Sequence, residues 1–242
     1  MAKLLSSLPV GTKVKDTGTT YNSKSILWTI MQHGHSGDPA GSTALVTSNI
    51  ITIKCFDAME AGNSNSDRRS YGNNRYAVSN IRQWLNSDAA AGKWYSAQHS
   101  ADAAPTNANV WSNYNEYDQE AGFLANFSAK MKAALLTVTK TVAKNTVTDG
   151  GGSETVSDKI FLLSNTEVGL ANENNVAEGS KYALFSDNTS RLAYPTAEAV
   201  TKSEYKNSNL ASGKAWRWWL RSPSAGDSYS ARVVHTDGSL NR

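Results

Sequence analysis

"KAWRWWLRSPSAGDSYSARVVHTDG", residues 214–238, decides how this chain is read. Three of the seven tryptophans, Trp216, Trp218 and Trp219, fall within four residues, and Arg217 and Arg221 are interleaved with them. In a strand, successive side chains point to opposite faces. Trp216 and Trp218 would then share one side, and Arg217 and Trp219 the other. One of those faces is expected to be core, so the run reads chiefly as a structural girdle made of Trp216, Trp218, Trp219 and Arg221. Arg221 is expected at the rim of that core, its stem on an indole and its head paired. Direct ligand contact by some rings, or a grip on single-stranded nucleic acid, are the sharper alternatives. Further on, "YSARVVHT" reads as a strand turned by Asp237-Gly238.

The whole chain has 242 residues, 39% of them hydrophobic. That suffices for a sizeable core, most simply a single domain spanning 1–242. The net charge of +3 is too mild to imply a nucleic-acid partner. The excess is local to the closing segment, where Lys214, Arg217, Arg221, Arg232 and Arg242 face only Asp227 and Asp237. Cys55 is the only cysteine, which excludes an intrachain disulfide. It lies in the apolar run "NIITIKCFDAM" and reads as a buried, inert thiol. The start, "MAKLLSSLPVGTKV", is a poor signal peptide, because Ser6 and Ser7 break its apolar stretch. No run approaches the roughly eighteen apolar residues of a membrane helix. The chain reads as soluble, with no membrane partner.

Strands are expected at both ends and helices between them. "VGTKVKD" and "SKSILWTIMQHG" read as strands, and "TALVTSNIITIKCF" as two more joined at Ser48-Asn49. "HGHSGDPAG" is a loop. "SNIRQWLNSDAA" reads as a helix capped by Ser79 or Asn80. The aromatic-rich stretch holding Trp94, Tyr95, Trp111, Tyr114 and Tyr117 is expected to be a loop pinned to the core by its rings. "DQEAGFLANFSAKMKAALL" carries one apolar stripe and predicts the longest helix. A β-ribbon follows, with a mobile tip at Asp149 to Gly152, and then "KIFLLS" as a buried strand. Ser164 and Glu167 have capping-box spacing before a short helix. "TAEAVTKSEY" predicts another. The pattern is α+β with long, ordered polar loops.

Few motifs carry chemistry. His33, His35 and Asp38 are close enough in sequence to suggest a zinc or manganese site, but a glycine-rich loop must then supply the remaining geometry. Asn63 to Arg69 alternates oxygen ligands as some calcium loops do, without the glycine and terminal Glu of an EF-hand; a solvated turn fits it better. There is no G-x-S-x-G around a serine. "GGGS" at 150–153 lacks the lysine of a phosphate loop. No cofactor is implied.

Three segments carry a resemblance. Trp216, Trp218, Trp219, Leu220, Arg221, Ser222 and Pro223, followed by Ala231 to Thr236 and Asp237-Gly238, resemble the closing motif of a domain family of phage, prophage and surface proteins of Gram-positive gut bacteria. Tyr76, Ser79, Ile81, Arg82, Trp84, Leu85 and Asn86 match its first-helix pattern. "DKIFLLSNTEV" is similar to its apolar strand and Glu-containing turn. The resemblance spans nearly the whole chain and is specific for the family rather than for a function. It implies a C-type-lectin-like fold related to formylglycine-generating-type domains, with a small twisted antiparallel sheet, flanking helices and long loops. It implies binding rather than catalysis. The chain lacks the paired cysteines of formylglycine-generating enzymes and the Glu-Pro-Asn motif of calcium-dependent lectins, so neither activity is carried over. Family members usually run on past the Asp-Gly turn to a Gly-Val-Arg-Pro-Ala strand, whereas this sequence stops at "GSLNR". Truncation, or a last strand supplied by another chain, is the expectation. The family also resembles the variable proteins diversified by retroelements. That likeness would make Asp227, Tyr229, Arg232, His235 and Asn241 the ligand contacts, among exposed neighbours such as Ser224, Ser228, Ser230 and Ser239.

The expected function is therefore a noncatalytic binding domain of a phage or prophage particle, tail-associated, located on the virion or outside the cell. Its partners would be a bacterial surface glycan or protein, other virion proteins and further copies of itself. A tail or decoration protein that binds only its neighbours is the first alternative. A metal-dependent enzyme using His33, His35 and Asp38 is the second.

Overall fold

β-Branched and aromatic residues between turn residues build three small antiparallel sheets in the computed structural model, which describes residues 4–242. The first sheet has the order β1 (Lys13–Tyr21), β2 (Lys24–His33), β3 (Thr43–Thr47). Asn22 and Ser23 turn β1 into β2 with φ of 51° and 62°, the left-handed pair that a two-residue hairpin needs. The second sheet pairs β4 (Val138–Ala143) with β5 (Ser153–Asp158), the expected ribbon. The third holds β6 (Trp218–Pro223), β7 (Ala231–Val234) and β8 (Leu240–Asn241), with Asp237-Gly238 at the last turn. Gly238 has φ of 81°, and a Cβ there would sit 2.1 Å from the Asn188 carbonyl oxygen, so only glycine fits.

The four α-helices are each six residues long: α1 (Ser66–Tyr71), α2 (Asn80–Leu85), α3 (Ala129–Ala134) and α4 (Ala197–Lys202). Helices this short do not persist alone in water. Each begins with a side-chain cap, from Asn65, Ser79, Ser128 and Thr196 respectively. Such a cap contributes about 1 kcal/mol. The architecture is α+β, with small sheets, few helices and long connecting loops.

Several expectations are corrected. The apolar stripe of residues 118–136 does not form one helix. It breaks into a 3-10 turn (Phe123–Asn126) and α3, because Phe127 is extended and Ser128 caps a fresh start. Gly122 fixes the entry, packed so closely on Ser87 that a Cβ would lie 2.3 Å from its carbonyl oxygen. Neither "NIITIKCF" nor "KIFLLS" is a paired strand; each lacks a ladder partner among the described residues, apart from one bridge between Ile50 and Pro195. Ser164 and Glu167 do bond reciprocally as a capping box, at 3.1 Å each way, but the segment they start is a turn. Asp149, expected at a mobile tip, is held by Arg68 and by Asn145, both at 2.6 Å. The suspected calcium loop is the start of α1, where the Asn65 Oδ1 is spent on the N–H groups of Asp67 and Arg68.

Two hydrophobic clusters fill the interior. The larger gathers Tyr21, Phe56, Tyr76, Trp84, Tyr117 and Phe123 among others. The smaller gathers Met31, Leu163, Tyr182, Phe185, Leu220 and Val234. The tryptophans of β6 are divided between them. Trp219 turns its edge to Phe56 at 5.7 Å and donates from its indole nitrogen to the Lys54 carbonyl. Trp218 stacks near Phe185 at 6.4 Å and donates to the Arg191 carbonyl. The alternation expected of a strand is thus used to join two cores, and both indole N–H groups are satisfied.

Candidate binding groove

Arg221 corrects the sequence reading most sharply. It does not lie at a rim: its side chain is wholly buried. Its guanidinium donates to the Glu167 carboxylate at 2.5 Å and to the carbonyls of Leu162 and Glu178 at 2.9 Å. Lys140 reaches the same Glu167 at 3.1 Å and Asp38 at 2.6 Å. Tyr182 donates to the other Asp38 oxygen at 2.9 Å. Burial raises the Glu178 carboxyl above its ordinary range, with Arg221 opposing that rise. This network ties the "HGHSGDP" loop to β4 and β6.

The three candidate metal ligands belong to that scaffold. Both ring nitrogens of His33 are taken, by the Thr43 hydroxyl at 2.9 Å and the Leu8 carbonyl at 2.8 Å. His35 stacks on Tyr182 at 3.8 Å and its Nε2 meets the Ser180 carbonyl. Asp38 is committed to Lys140 and Tyr182. The two imidazoles therefore do not converge, and no group of three His, Cys, Asp or Glu side chains is placed to hold a metal among the described residues. Cys55 is half-buried as a residue, and burial pushes its thiol up to about 12.

The five expected ligand contacts fall in different settings. Asp227 is buried; its Oδ1 accepts from the N–H groups of Tyr229 and Ser230, which shapes the loop between β6 and β7. Ser224 and Ser228 are buried as well, Ser228 bonded to Asn65, so these three are not exposed readers. A loop must satisfy its own polar groups when it packs inward, and here its side chains do so. Arg232 is paired with Glu173. His235 approaches Asp237, and Asn241 is exposed on edge strand β8. Tyr229 alone of the five faces the molecule's large groove.

That groove has a volume of about 950 Å³. It is lined by the segment from Ser48 to Phe56, by Ile160 to Leu163, by Trp216 to Trp219 and by Ala231 and Val233 of β7. Aromatic rings stand at its mouth. Tyr71 and Tyr229 stack at 4.8 Å. Tyr114 meets Tyr205 edge to face at 6.2 Å, and Tyr205 lies tilted against Trp216 at 6.4 Å. Arg217 lies 5.5 Å over the Trp216 ring. Trp111 is 54% exposed, the most open large ring in the molecule's described part. Of the aromatic-rich loop, Trp94 and Tyr117 are pinned to the core as expected, stacked at 5.4 Å. Trp111 and Tyr114 are not pinned; they are exposed at the groove. Their presence in a polar stretch was the available signal, but nothing in the spacing separates an anchor from a lip.

An α+β fold built of short capped helices and small antiparallel sheets around a ring-lined groove is the class of protein these features define. Residues 41–242 match the family model of a domain of unknown function, DUF6273, and the chain belongs to that family. No curated protein and no solved structure matches the chain. Among the described residues no helix is long and apolar enough to cross a membrane.

Proposed function

We propose that the chain is a noncatalytic ligand-binding domain of C-type-lectin-like fold, carried by a phage or prophage particle, that recognises a molecule on a bacterial surface. The observation that carries this reading is the groove of about 950 Å³ with Tyr71, Trp111, Tyr114 and Tyr229 at its mouth. Contiguous exposed apolar patches mark interaction sites, and binding sites are apolar, aromatic and concave. The resemblance of "WRWWLRSP" and its neighbours to phage-associated domains supplies the setting.

The test is binding of the purified chain to a glycan array and to whole Gram-positive gut cells. Selective binding is expected, and Trp111→Ala should weaken it roughly tenfold or more, as truncation of a central aromatic contact does. A folded Trp111→Ala chain that binds equally well would remove the groove from the reading. Absence of binding to every glycan and cell, with stable assembly into particles, would favour a tail or decoration protein that contacts only its neighbours.

A further inference from the structure

One wall of the groove is made of β-forming residues that carry no ladder. Ile50 donates to the Tyr194 carbonyl and accepts from Thr196, and there the pairing stops. From Ile51 to Phe56 no backbone N–H finds a backbone acceptor among the described residues. The carbonyls of Ile51, Thr52 and Ile53 are likewise without a backbone donor. Elsewhere in the lining, the N–H groups of Phe161 and Leu163 also find no backbone acceptor among the described residues. Burial alternates as in a strand over the last four residues of the wall, where Lys54 and Phe56 are buried and Ile53 and Cys55 half-exposed; Ile51 and Thr52 are both half-exposed. A row of unpaired N–H and C=O groups beside an apolar trough is a template for one more strand.

Charge at the groove is one-sided. Lys54, Lys159, Arg191, Arg217 and Arg242 line it, Lys54 paired with Glu120 and Arg242 with Asp227; the one carboxylate among the described lining residues, Asp57, is buried and accepts from Asn73 and Asn80. Arg217 rests on Trp216 with its charge at the edge of the groove.

We propose that this groove receives an extended segment of a partner protein, apolar at alternate residues and acidic at its flanks, which adds as a strand beside Ile51 to Phe56. The proposal rests on the ligand-binding reading above and names the ligand class. A polypeptide presents carbonyl and N–H groups at strand spacing, about 3.3 Å per residue, and so matches an unpaired backbone edge; a sugar does not. Acidic flanks answer Lys159 and Arg217, steering the approach and fixing the direction of entry.

A random linear peptide library displayed on phage, panned on the purified chain, supplies the probe. Amide hydrogen exchange is then read with and without the selected synthetic peptide. Enriched sequences should alternate apolar residues and carry Asp or Glu. The peptide should slow exchange by about tenfold or more at alternate residues within 51–56, those whose N–H groups face the added strand, as stable pairing does. Arg217→Glu should weaken binding about tenfold and shift selection toward basic peptides. Ile53→Pro, checked for folding by circular dichroism, should weaken it similarly by removing one N–H. A library that yields no binder overturns the proposal, as does a binder that leaves residues 51–56 exchanging as in the free chain. Protection that grows with protein concentration alone would make the occupant a second copy. Glycan binding with unchanged exchange at 51–56 would leave the ligand-binding reading standing and remove this one; failure of both arrays and library would remove both.

Discussion

Arg221 and Glu167 meet at 2.5 Å with neither side chain exposed to solvent. Such a pair is compensated only while both partners are present, because a lone charge left inside is costly. Arg221→Ala is expected to destabilise the chain by about 3–5 kcal/mol. Glu167→Gln should also destabilise, and the double variant should cost less than the two losses added together. Urea unfolding of the four proteins checks this, and strict additivity would rule out the coupling.

Trp219 is held between the larger cluster and the Lys54 carbonyl. Trp219→Ala should cost about 3 kcal/mol through lost packing and an unfilled cavity. Thermal melting reads the effect. A variant that melts as the parent does, while losing ligand, would move this ring from scaffold to binding site.

The Cys55 thiol, pushed up to about 12 by burial, should be inert at pH 8. A colorimetric thiol reagent should label it slowly in the native chain and at once in denaturant. Rapid native labelling would place the thiol in an open, activated setting instead.

Asp57 is buried, and that burial raises its carboxyl well above the ordinary value of 3.8, partly offset by the N–H groups of Asn73 and Asn80. A carboxyl raised on folding stabilises the native state fully below its unfolded value, and that contribution is lost as pH rises through the folded one. Stability should therefore decline with pH from about 4 upward, with a slope from this group of at most about 1.4 kcal/mol per pH unit. In Asp57→Asn the decline should flatten. Denaturant unfolding from pH 4 to 8 provides the comparison, and an identical slope in the variant would exclude Asp57 as its source.

Local signals in the sequence were dependable where one side chain decides the outcome. Ser79, one of the two caps expected for that helix, stands at its start because a hydroxyl one turn ahead satisfies an N–H. The hairpin of β4 and β5 and the turn at Asp237-Gly238 follow from the same kind of local chemistry. What tertiary contact decides was not legible. The stripe from Phe123 to Leu135 has helical spacing, but Gly122 lies against Ser87 and Ser128 is bound to Asp16, which splits it. "NIITIKCF" has every local mark of a strand, yet a strand exists only with a partner. At the site, Tyr229 could be named from the closing motif, whereas Trp111 and Tyr205 reach the groove from segments far away in sequence. Arg221 reads as a rim residue because its buried partner, Glu167, lies 54 residues away in sequence.

The division of Trp218 and Trp219 between two clusters has a consequence for how the molecule comes apart. β6 is a shared wall, so loosening either cluster strips packing from the other. No α-helix among the described residues exceeds six residues, so no segment can persist by itself once that wall is lost. The unit of melting is then the whole assembly of sheets and loops, and its cooperativity resides in one strand rather than in the size of its core.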